Sequence, residues 1–334
     1  MLDWPHMFES YHGARVLVTG GAGFVGSHLT DRLLELGAKV AVLDDLSTGK
    51  RENLAQHDGN LDFTFIHGDA NDWATLDGVF DAHAPEYVFH LGAFCGVKRV
   101  EERPLDVLND IDGIRAIFEF CKDRKVKKIL YSSSSEVYGE PLQLPSRELG
   151  PVNPSPRDPY SLVKMLGENL THHYYRQYGL KTVALRFFNV YGPRQESSPY
   201  GFVVGIFLSR ALQGQPLQIF GDGTATRDFV YYKDNVNTVL TAMLKDETDG
   251  ETINVGKGTP TSIQELAEKV RALSGRDLAI EYLPVRKLEI KYRTPDVSRM
   301  HELIGVRAET PLEVGLRETF AHMTEKSRAA ACVS

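Results

Sequence analysis

Short runs of apolar and β-branched residues recur along the first 190 residues of the chain. Most of them are apolar on both faces instead of alternating, which is typical of parallel strands covered by helices on each side. The runs are RVLVT (15–19), KVAVLDD (39–45), FTFIHGD (63–69), YVFHLG (87–92), KKILYSSS (127–134) and TVALRFFN (182–189). Helical patterns lie between them. This repeated alternation predicts an α/β fold with a doubly wound parallel sheet.

The rhythm changes after about residue 190. Loop-rich segments are followed by helical patterns at 262–274 and 311–323. We therefore expect a first domain over residues 1–185, which also takes in part of 227–256, and a smaller C-terminal lobe over 186–326. The first dozen residues are expected to extend outside the fold.

Composition narrows the function without defining it. The 334 residues carry a formal net charge of -7, which leaves no general basic surface to bind a nucleic acid backbone. Cys95, Cys121 and Cys332 are too scattered for a disulfide framework, and none has metal-ligand spacing. The N-terminus lacks a signal-peptide pattern, and no apolar run is as long as a membrane span. These features predict a cytoplasmic protein with no metal and with neither a nucleic acid nor a membrane partner.

The segment TGGAGFVGSH follows the first predicted strand and opens the first predicted helix. It fits G-x-x-G-x-x-G with Gly20, Gly23 and Gly26, and G-x-G-x-x-G when Gly21 takes the first place. Glycines permit a tight turn and a close approach to a pyrophosphate, whose charge is held by amides at the helix N-terminus. Because strand, glycines and helix come in this order, the segment predicts a dinucleotide site in a Rossmann-type fold.

Acidic residues end the second and third predicted strands. A carboxylate at the end of the second strand hydrogen-bonds the adenosine ribose and repels a 2′-phosphate, so Asp44 and Asp45 favour NAD over NADP. Capping of the next loop is the alternative for Asp45. Asp69, in HGDAND, is placed to touch the adenine, with loop capping again the alternative.

Tyr160 and Lys164 lie four residues apart in PYSLVKMLGENL and therefore project from one face of a helix. An ammonium close to a phenol stabilises the phenolate, which would lower a phenol pKa of about 10 toward neutrality and make the tyrosine a usable base. An ordinary surface helix is the alternative for so common a pattern. The glycine-rich segment and the serine cluster at 132–135 both end strands, where ligands bind in such sheets, and this context favours catalysis.

A series of motifs runs from about Arg15 to about Phe320. They are TGGAGFVG, DDLSTG, HLGA, SSSSEVYG, YSLVK, RFFNVYGPR, RDFVYYKD, NVGKG and RTPDVSRM. Jointly they resemble the extended short-chain dehydrogenase/reductase superfamily, and within it the nucleotide-sugar epimerase/dehydratase branch. In such enzymes the tyrosine takes a proton from a sugar hydroxyl, usually the 4-hydroxyl, while hydride passes from the same carbon to NAD. The resemblance assigns these roles to Tyr160 with Lys164, gives Ser134 a share of the hydrogen bond, and makes Tyr138 structural.

Glu136 leaves two alternatives open. Family members that only oxidise and re-reduce carbon 4 often have a small or apolar residue here. Those that eliminate water or lose a carboxylate often carry a carboxylate, because an acid or base is needed at the neighbouring carbons. Glu136 is thus either a catalytic acid or base, or a residue that is structural or orients the substrate, while the stretch before Tyr160 is epimerase-like.

The resemblance also implies which residues hold the two ligands. Those expected at NAD are Gly20, Gly23, Phe24, Val25, Gly26, Asp44, Asp45, Ser47, Thr48, Gly49, Asp69, Ala70, Leu91, Tyr160 and Lys164. Those expected at the nucleotide sugar are Lys98, Ser134, Asn189, Arg194, Gln218, Phe220, Arg227 and Arg286. Arginine forks suit phosphate oxygens, whereas Arg194 either reaches the sugar or forms a loop salt bridge. Asp110 stands where the family has asparagine, and either replaces it structurally or adds charge near the site.

The leading hypothesis is an NAD-dependent 4-epimerase that acts on a UDP-sugar through a transient 4-keto intermediate. The alternatives are a nucleotide-sugar dehydratase of the 4,6- or 5,6-type that uses Glu136 as acid or base, a UDP-glucuronate-type decarboxylase, and a non-enzymatic NAD-binding regulator. The first domain would bind NAD and the C-terminal lobe the nucleotide sugar. The resemblance also implies a homodimer, for which the helices at 105–124 and 160–178 are the expected interface.

Overall fold

A computed structural model of the chain describes residues 7–155, 158–198, 200–285 and 290–333. Its strands are β1 (Arg15–Thr19), β2 (Lys39–Asp44), β3 (Phe63–His67), β4 (Tyr87–His90), β5 (Lys128–Ser134), β6 (Thr182–Phe187), β7 (Asn189–Tyr191), β8 (Leu217–Phe220), β9 (Thr226–Tyr231), β10 (Glu251–Val255), β11 (Pro260–Ser262) and β12 (Ile280–Leu283). Its α-helices are α1 (Phe24–Glu35), α2 (Trp73–His83), α3 (Val97–Glu102), α4 (Asp110–Asp123), α5 (Pro159–Tyr178), α6 (Val203–Leu212), α7 (Tyr232–Leu244), α8 (Ile263–Ser274) and α9 (Leu312–Val333).

Seven strands form one parallel sheet in the order β10-β6-β5-β4-β1-β2-β3. The strand order reverses at β1, which pairs with β2 on one side and β4 on the other. Ligands of such sheets bind at this switch point, beyond the carboxyl ends of the strands. The predicted doubly wound α/β fold is confirmed.

Apolar strands explain why both faces of the sheet are covered. In β1 the side chains of Val16 and Val18 join one core and Leu17 joins the other, because successive side chains of a strand point to opposite faces. Helices α1 and α7 supply Leu33 and Val239 to the first core, and the opposite core contains residues of α2, α4 and α5. The sheet is therefore buried on each side, as the continuous apolar runs predict.

The C-terminal part adds a separate core. Strands β11, β9 and β7 form one small sheet and β12 pairs with β8 in another, and residues of α6, α8 and α9 pack around them. The chain returns from this region to the central sheet twice. First, α7 packs on the sheet and β10 pairs with β6 at its edge, and later Met300, Ile304 and Val306 join the same core. In the part of the chain that is described, no helix has both the length and the apolar character needed to cross a bilayer.

The expectation that the first dozen residues lie outside the fold is wrong for those that are described. Phe8 and Tyr11 form part of a short 3-10 helix and are buried in the first core. The Tyr11 hydroxyl donates to the Leu240 carbonyl of α7 at 2.8 Å, and its ring meets Tyr87 edge-on. Two isolated aromatic residues carry no periodic pattern, so this packing could not be predicted from the sequence.

A buried ion pair joins β5 to the loop before β10. Lys128 Nζ lies 2.6 Å from Asp249, and the side chains are 3% and 6% exposed. Lys128→Met should lower the free energy of unfolding by about 3 kcal/mol, because it leaves a buried carboxylate poorly compensated. Lys181, which contacts the same Asp249 at 3.3 Å but is 44% exposed, is the matched control, and Lys181→Met should cost less than about 1 kcal/mol. Urea unfolding measures both, and equal losses would contradict the assignment.

Candidate active site

A cleft of about 460 Å³ opens at the carboxyl ends of the central strands. It is bounded by the glycine turn after β1, the ends of β2, β4 and β5, the first turns of α5, and β7. The predicted site residues that line it are Gly20, Gly23, Phe24, Val25, Gly26, Asp44, Asp45, Ser47, Thr48, Asp69, Ala70, Leu91, Ser134, Glu136, Tyr160, Lys164 and Asn189. The structure thus brings the predicted cofactor and catalytic residues together in one place.

The glycine turn has no room for side chains. Gly20 has a φ of +69°, and a Cβ there would lie 2.7 Å from the Gly92 nitrogen. A Cβ at Gly26 would lie 2.2 Å from the Gly20 carbonyl oxygen. Gly23 caps α1 without a side chain, so the first amides of that helix remain available to an anion. The turn fits the pyrophosphate of a dinucleotide.

Asp44 and Asp45 differ in their surroundings. Asp44 is buried, and its carboxylate accepts hydrogen bonds from the Ala22 and Leu46 amides, each at 2.9 Å. Burial raises the pKa of Asp44. Asp45 is exposed and caps its own loop by accepting from the Ser47 amide at 2.9 Å. Asp44 therefore offers a fixed carboxylate at the end of β2, whereas Asp45 shows the loop-capping alternative.

Asp69 also caps a loop. Its carboxylate accepts a hydrogen bond from the Asn71 amide at 2.8 Å, although the residue lines the cleft. Contact with an adenine ring at Asp69 stays a prediction.

Tyr160 and Lys164 share the face of α5 that packs against β5. Asp158 caps the helix by accepting from the Tyr160 amide at 3.1 Å, and Pro159 occupies the first helical position. Lys164 Nζ donates to the Ser132 carbonyl at 2.8 Å and lies 5.5 Å from the centre of the Tyr160 ring. Both side chains are thereby held at the end of the strand that carries the serine cluster.

The expected lowering of the Tyr160 pKa is not found. Burial raises the pKa of Tyr160 well above its ordinary value, and the charges of Cys95 and Glu136 act in the same direction. A hydrogen bond with Ser134 acts in the opposite direction. Burial also lowers the pKa of Lys164. The effect of desolvation, which spacing alone does not reveal, therefore outweighs the proximity of the ammonium.

Ser133 and Ser134 of the serine cluster have different hydrogen-bond partners. The Ser134 hydroxyl accepts from the Glu136 amide at 3.2 Å and is hydrogen-bonded to Tyr160. The hydroxyl of Ser133, which also lines the cleft, instead donates to Glu168 of α5 at 2.5 Å. Ser134 thus lies beside Tyr160, and its share of the hydrogen bond to the substrate stays a prediction.

Glu136 is held by an arginine that the sequence did not identify. The two terminal nitrogens of Arg293 donate to its two carboxylate oxygens at 2.5 and 2.7 Å. Both residues line the cleft, and the Arg293 side chain is 10% exposed. Arg293 begins the RTPDVSRM motif, but the partners are 157 residues apart in the chain. The motif was the available signal, and nothing in it indicated a bond to Glu136.

Several residues predicted at the substrate have other partners. Arg194 pairs with Asp31 of α1 at 2.8 Å, so the salt-bridge alternative is the one that the structure shows. Lys98 lies 4.5 Å from the centre of the Tyr200 ring. The amide of Gln218 donates to Glu281 at 3.1 Å. Each of these side chains is engaged with its own neighbourhood instead of with the cleft.

Several predicted residues do not line the cleft. Among the described residues, the cleft lining does not include Gly49, Lys98, Arg194, Gln218, Phe220 or Arg227. The Arg227 side chain donates to its neighbour's carbonyl at Thr226 at 2.8 Å. Gly49 packs directly against the Asp44 carboxylate, which itself lines the cleft. Arg286 lies outside the described residues.

Three further cleft residues, His90, Asp110 and Asn189, differ in their hydrogen bonds. His90 shares a hydrogen bond of 2.7 Å with Thr19, and burial lowers the pKa of His90 to about 3, so its ring is neutral. Asp110 accepts from the Phe94 amide at 2.8 Å. Asp110 therefore connects α4 to the loop after β4 and also places a carboxylate in the cleft lining. Both alternatives, a structural role and an added charge near the site, thus apply to it. Asn189 Nδ2 is buried without a protein partner among the described residues, as expected of a group that binds a ligand.

A glycine turn that fits a dinucleotide, beside a buried tyrosine, lysine and serine in one cleft, defines a dinucleotide-dependent enzyme of the short-chain dehydrogenase/reductase type. Residues 16–256 match the NAD dependent epimerase/dehydratase family, and the chain belongs to that family. It is an NAD-dependent enzyme of nucleotide sugars.

Relatives with different activities resemble the chain to a similar degree. It is 37% identical to a UDP-glucose 4-epimerase of Mycolicibacterium smegmatis, over 94% of this chain and 100% of that one. It is 35% identical to a UDP-N-acetyl-alpha-D-glucosaminuronate decarboxylase of Bacillus cytotoxicus, over 93% and 98%. The crystal structure of a UDP-glucose 4-epimerase of Thermotoga maritima with UDP-glucose has a TM-score of 0.88 at 36% identity, and 93% and 99% of the two chains are covered.

Proposed function

We propose that the protein is a 4-epimerase of a UDP-sugar that acts through a transient 4-keto intermediate. The observation that carries this proposal is the meeting of Tyr160, Lys164 and Ser134 in the cleft that also contains the glycine turn. The similarity to UDP-glucose 4-epimerases supports the reaction and the uridine nucleotide. A regulator that only binds NAD has no need of a buried base beside the cofactor, which favours an enzyme.

NAD would be held by the glycine turn and the Asp44 carboxylate, and when bound it accepts hydride from carbon 4 and returns it. The chain's own residues handle the proton. The Tyr160 oxygen accepts the proton of the 4-hydroxyl, and the Ser134 hydroxyl, already bonded to Tyr160, shares that contact. Lys164 places a positive charge beside the phenolate and is fixed by the Ser132 carbonyl. Return of the same proton completes the cycle with no net oxidation.

Asn189 is the best-supported contact for the substrate's diphosphate, because its unpaired amide donor lines the cleft. Arg227 is bonded to the Thr226 carbonyl, so a contact with the diphosphate would require this side chain to move. Arg286 keeps its predicted role in the proposal.

The Glu136–Arg293 pair favours a second candidate, in which a reaction beyond carbon 4 follows the oxidation. An epimerase does not need an additional acid or base, whereas this cleft contains a carboxylate whose two oxygens both accept hydrogen bonds from Arg293. A substrate with its own carboxylate would compete with Glu136 for Arg293, and the Glu136 carboxylate would then be released from the pair. Decarboxylation of a uronic acid sugar, or elimination of water, would then use Glu136, and Arg293 would replace Arg194 as the expected cation.

Proton NMR of the protein with UDP-, dTDP- and GDP-sugars in deuterated water separates these reactions. The panel includes UDP-glucuronate. We expect a 4-epimer of a UDP-sugar with no deuterium at carbons 3 and 5. A keto or unsaturated sugar, often carrying deuterium, would establish elimination instead, and a pentose formed from UDP-glucuronate would establish decarboxylation.

Glu136→Gln gives an independent answer. In an epimerase this change removes a charge-assisted hydrogen bond to Arg293 and should lower kcat by about tenfold with the same product. In a dehydratase or decarboxylase it removes the acid or base and should lower kcat by about 10² to 10⁴-fold. Glu140→Gln, at an exposed carboxylate four residues further along, is the matched control and should leave kcat unchanged.

We also propose that the chain forms a homodimer through α4, α5 and the segment before α4. Leu105, Leu108 and Leu162 there are 74%, 41% and 44% exposed, and a partner subunit on this face would bury them. Sedimentation velocity at micromolar concentration measures the assembly state.

A further inference from the structure

A buried asparagine lies behind the Glu136–Arg293 pair. Asn254 of β10 is fully buried, and its side-chain oxygen accepts from the Tyr138 hydroxyl at 2.8 Å. Its amide nitrogen donates to the Ser146 carbonyl at 2.9 Å and to the Asp296 carbonyl at 3.1 Å. Every donor of the amide group is therefore used, and the three contacts reach three different segments of the chain.

Two of these segments carry the charged pair. Tyr138 ends the short 3-10 turn Ser135–Tyr138 that contains Glu136. Asp296 follows Arg293 by three residues. The segment that contains Ser146 pairs with the segment that carries Arg293. The Ser146 amide donates to the Thr294 carbonyl at 2.8 Å, and the Asp296 amide donates to the Ser146 carbonyl at 2.8 Å. Asn254 thus connects the backbone that carries Glu136 to the backbone that carries Arg293.

The Tyr138 ring is fixed independently of its hydroxyl. The Arg186 guanidinium lies 4.8 Å from the ring centre, and Arg186 is itself held by two bonds to Glu168, at 2.7 and 2.8 Å. Removing the hydroxyl therefore leaves the ring supported, while it breaks the link to Asn254 and the polar contact of the hydroxyl with Arg186. Tyr138 and Asn254 do not belong to the cleft lining, so any effect on substrate must pass through other residues.

We infer that Tyr138 and Asn254 are positioning residues that set the separation of Glu136 and Arg293 across the sugar end of the cleft. The two charged side chains come from segments 157 residues apart, and the bond between them does not itself fix the position of the pair relative to the cleft. The buried hydrogen bonds of Asn254 do fix it, because leaving any of them unmade is costly. The inference rests on the proposed function, which gives the pair its place beside the reacting sugar.

The test is a double-mutant cycle with Tyr138→Phe and Glu136→Gln. Alone, Tyr138→Phe should lower kcat by about tenfold with KM changed less than about twofold, since a displaced polar pair affects orientation more than affinity. In the Glu136→Gln protein the same change should lower kcat by less than about twofold, because the group through which it acts is already altered. Tyr11→Phe is the control: it also removes a buried tyrosine hydrogen bond of 2.8 Å, but far from the pair, and should leave kcat unchanged.

Equal fold-losses in the two backgrounds, or a loss in Tyr11→Phe as large as in Tyr138→Phe, would overturn the inference and leave only a structural role. Failure of the unmodified protein to turn over any sugar in the NMR panel would sink the proposed function and not this inference. In that event the urea midpoints of Tyr138→Phe, Arg293→Gln and the double variant decide. Shifts that fail to add would support the positioning, and additive shifts would overturn it.

Discussion

Replacement of Tyr160 with phenylalanine should lower kcat by about 10³-fold while NAD still binds, since a positioned base contributes on that order. The change removes one oxygen from a buried ring and leaves the neighbouring bond between Lys164 and the Ser132 carbonyl in place. The loss of kcat is measured as turnover of the UDP-sugar that the NMR panel identifies. The binding of NAD is measured separately by calorimetric titration. An unchanged kcat would remove Tyr160 as the base.

The pH dependence gives the same assignment a second test. Only the phenolate accepts a proton, and burial raises the pKa of Tyr160. Turnover should therefore fall as the pH decreases through the pKa of Tyr160 and recover as the pH rises. Tyr174→Phe is the matched control on the same helix, because the Tyr174 hydroxyl is bonded to Glu119 at 2.5 Å outside the cleft lining. It should retain both kcat and the low-pH limb.

The fold was predictable because its signals are local. Most strands of the central sheet are short apolar runs, and a helical pattern such as the apolar stripe of α1 lies between them, so the order of elements predicts a doubly wound sheet. The cofactor end was predictable for the same reason, since the glycine turn, the start of α1 and Asp44 lie close together along the chain. The relation of Tyr160 to Lys164 required only helical spacing.

Features that depend on distant segments were not predictable. Arg293 reaches Glu136 from 157 residues away, and the sequence offered Arg194 as the cation instead. A loop arginine has no spacing rule, so only the folded chain shows that Arg194 pairs with α1 and Arg293 with the cleft. The pKa of Tyr160 depends on how deeply the ring is buried, and that depth is a property of the packed structure.

Gly26→Ala should lower the affinity for NAD by about a hundredfold. The added Cβ would lie 2.2 Å from the Gly20 carbonyl oxygen and 2.7 Å from the Gly21 Cα, which are backbone atoms that can yield only if the whole turn shifts. Displacing the turn breaks one or two charge-assisted hydrogen bonds to the pyrophosphate, which corresponds to about 2.8 kcal/mol. The same clash should cost about 1 to 3 kcal/mol of folding stability. Calorimetric titration with NAD and urea unfolding measure the two losses.

Gly78→Ala is the control that separates a cofactor effect from a general effect of filling a helical glycine. Gly78 lies within α2, and a Cβ there meets nothing within 4 Å. Alanine should therefore keep the affinity for NAD and add about 0.5 to 1 kcal/mol of stability, because it restricts the unfolded chain. If Gly26→Ala bound NAD as tightly as Gly78→Ala, the turn after β1 would not be the pyrophosphate site. The proposed position of the nicotinamide beside Tyr160, which depends on that site, would then be unsupported.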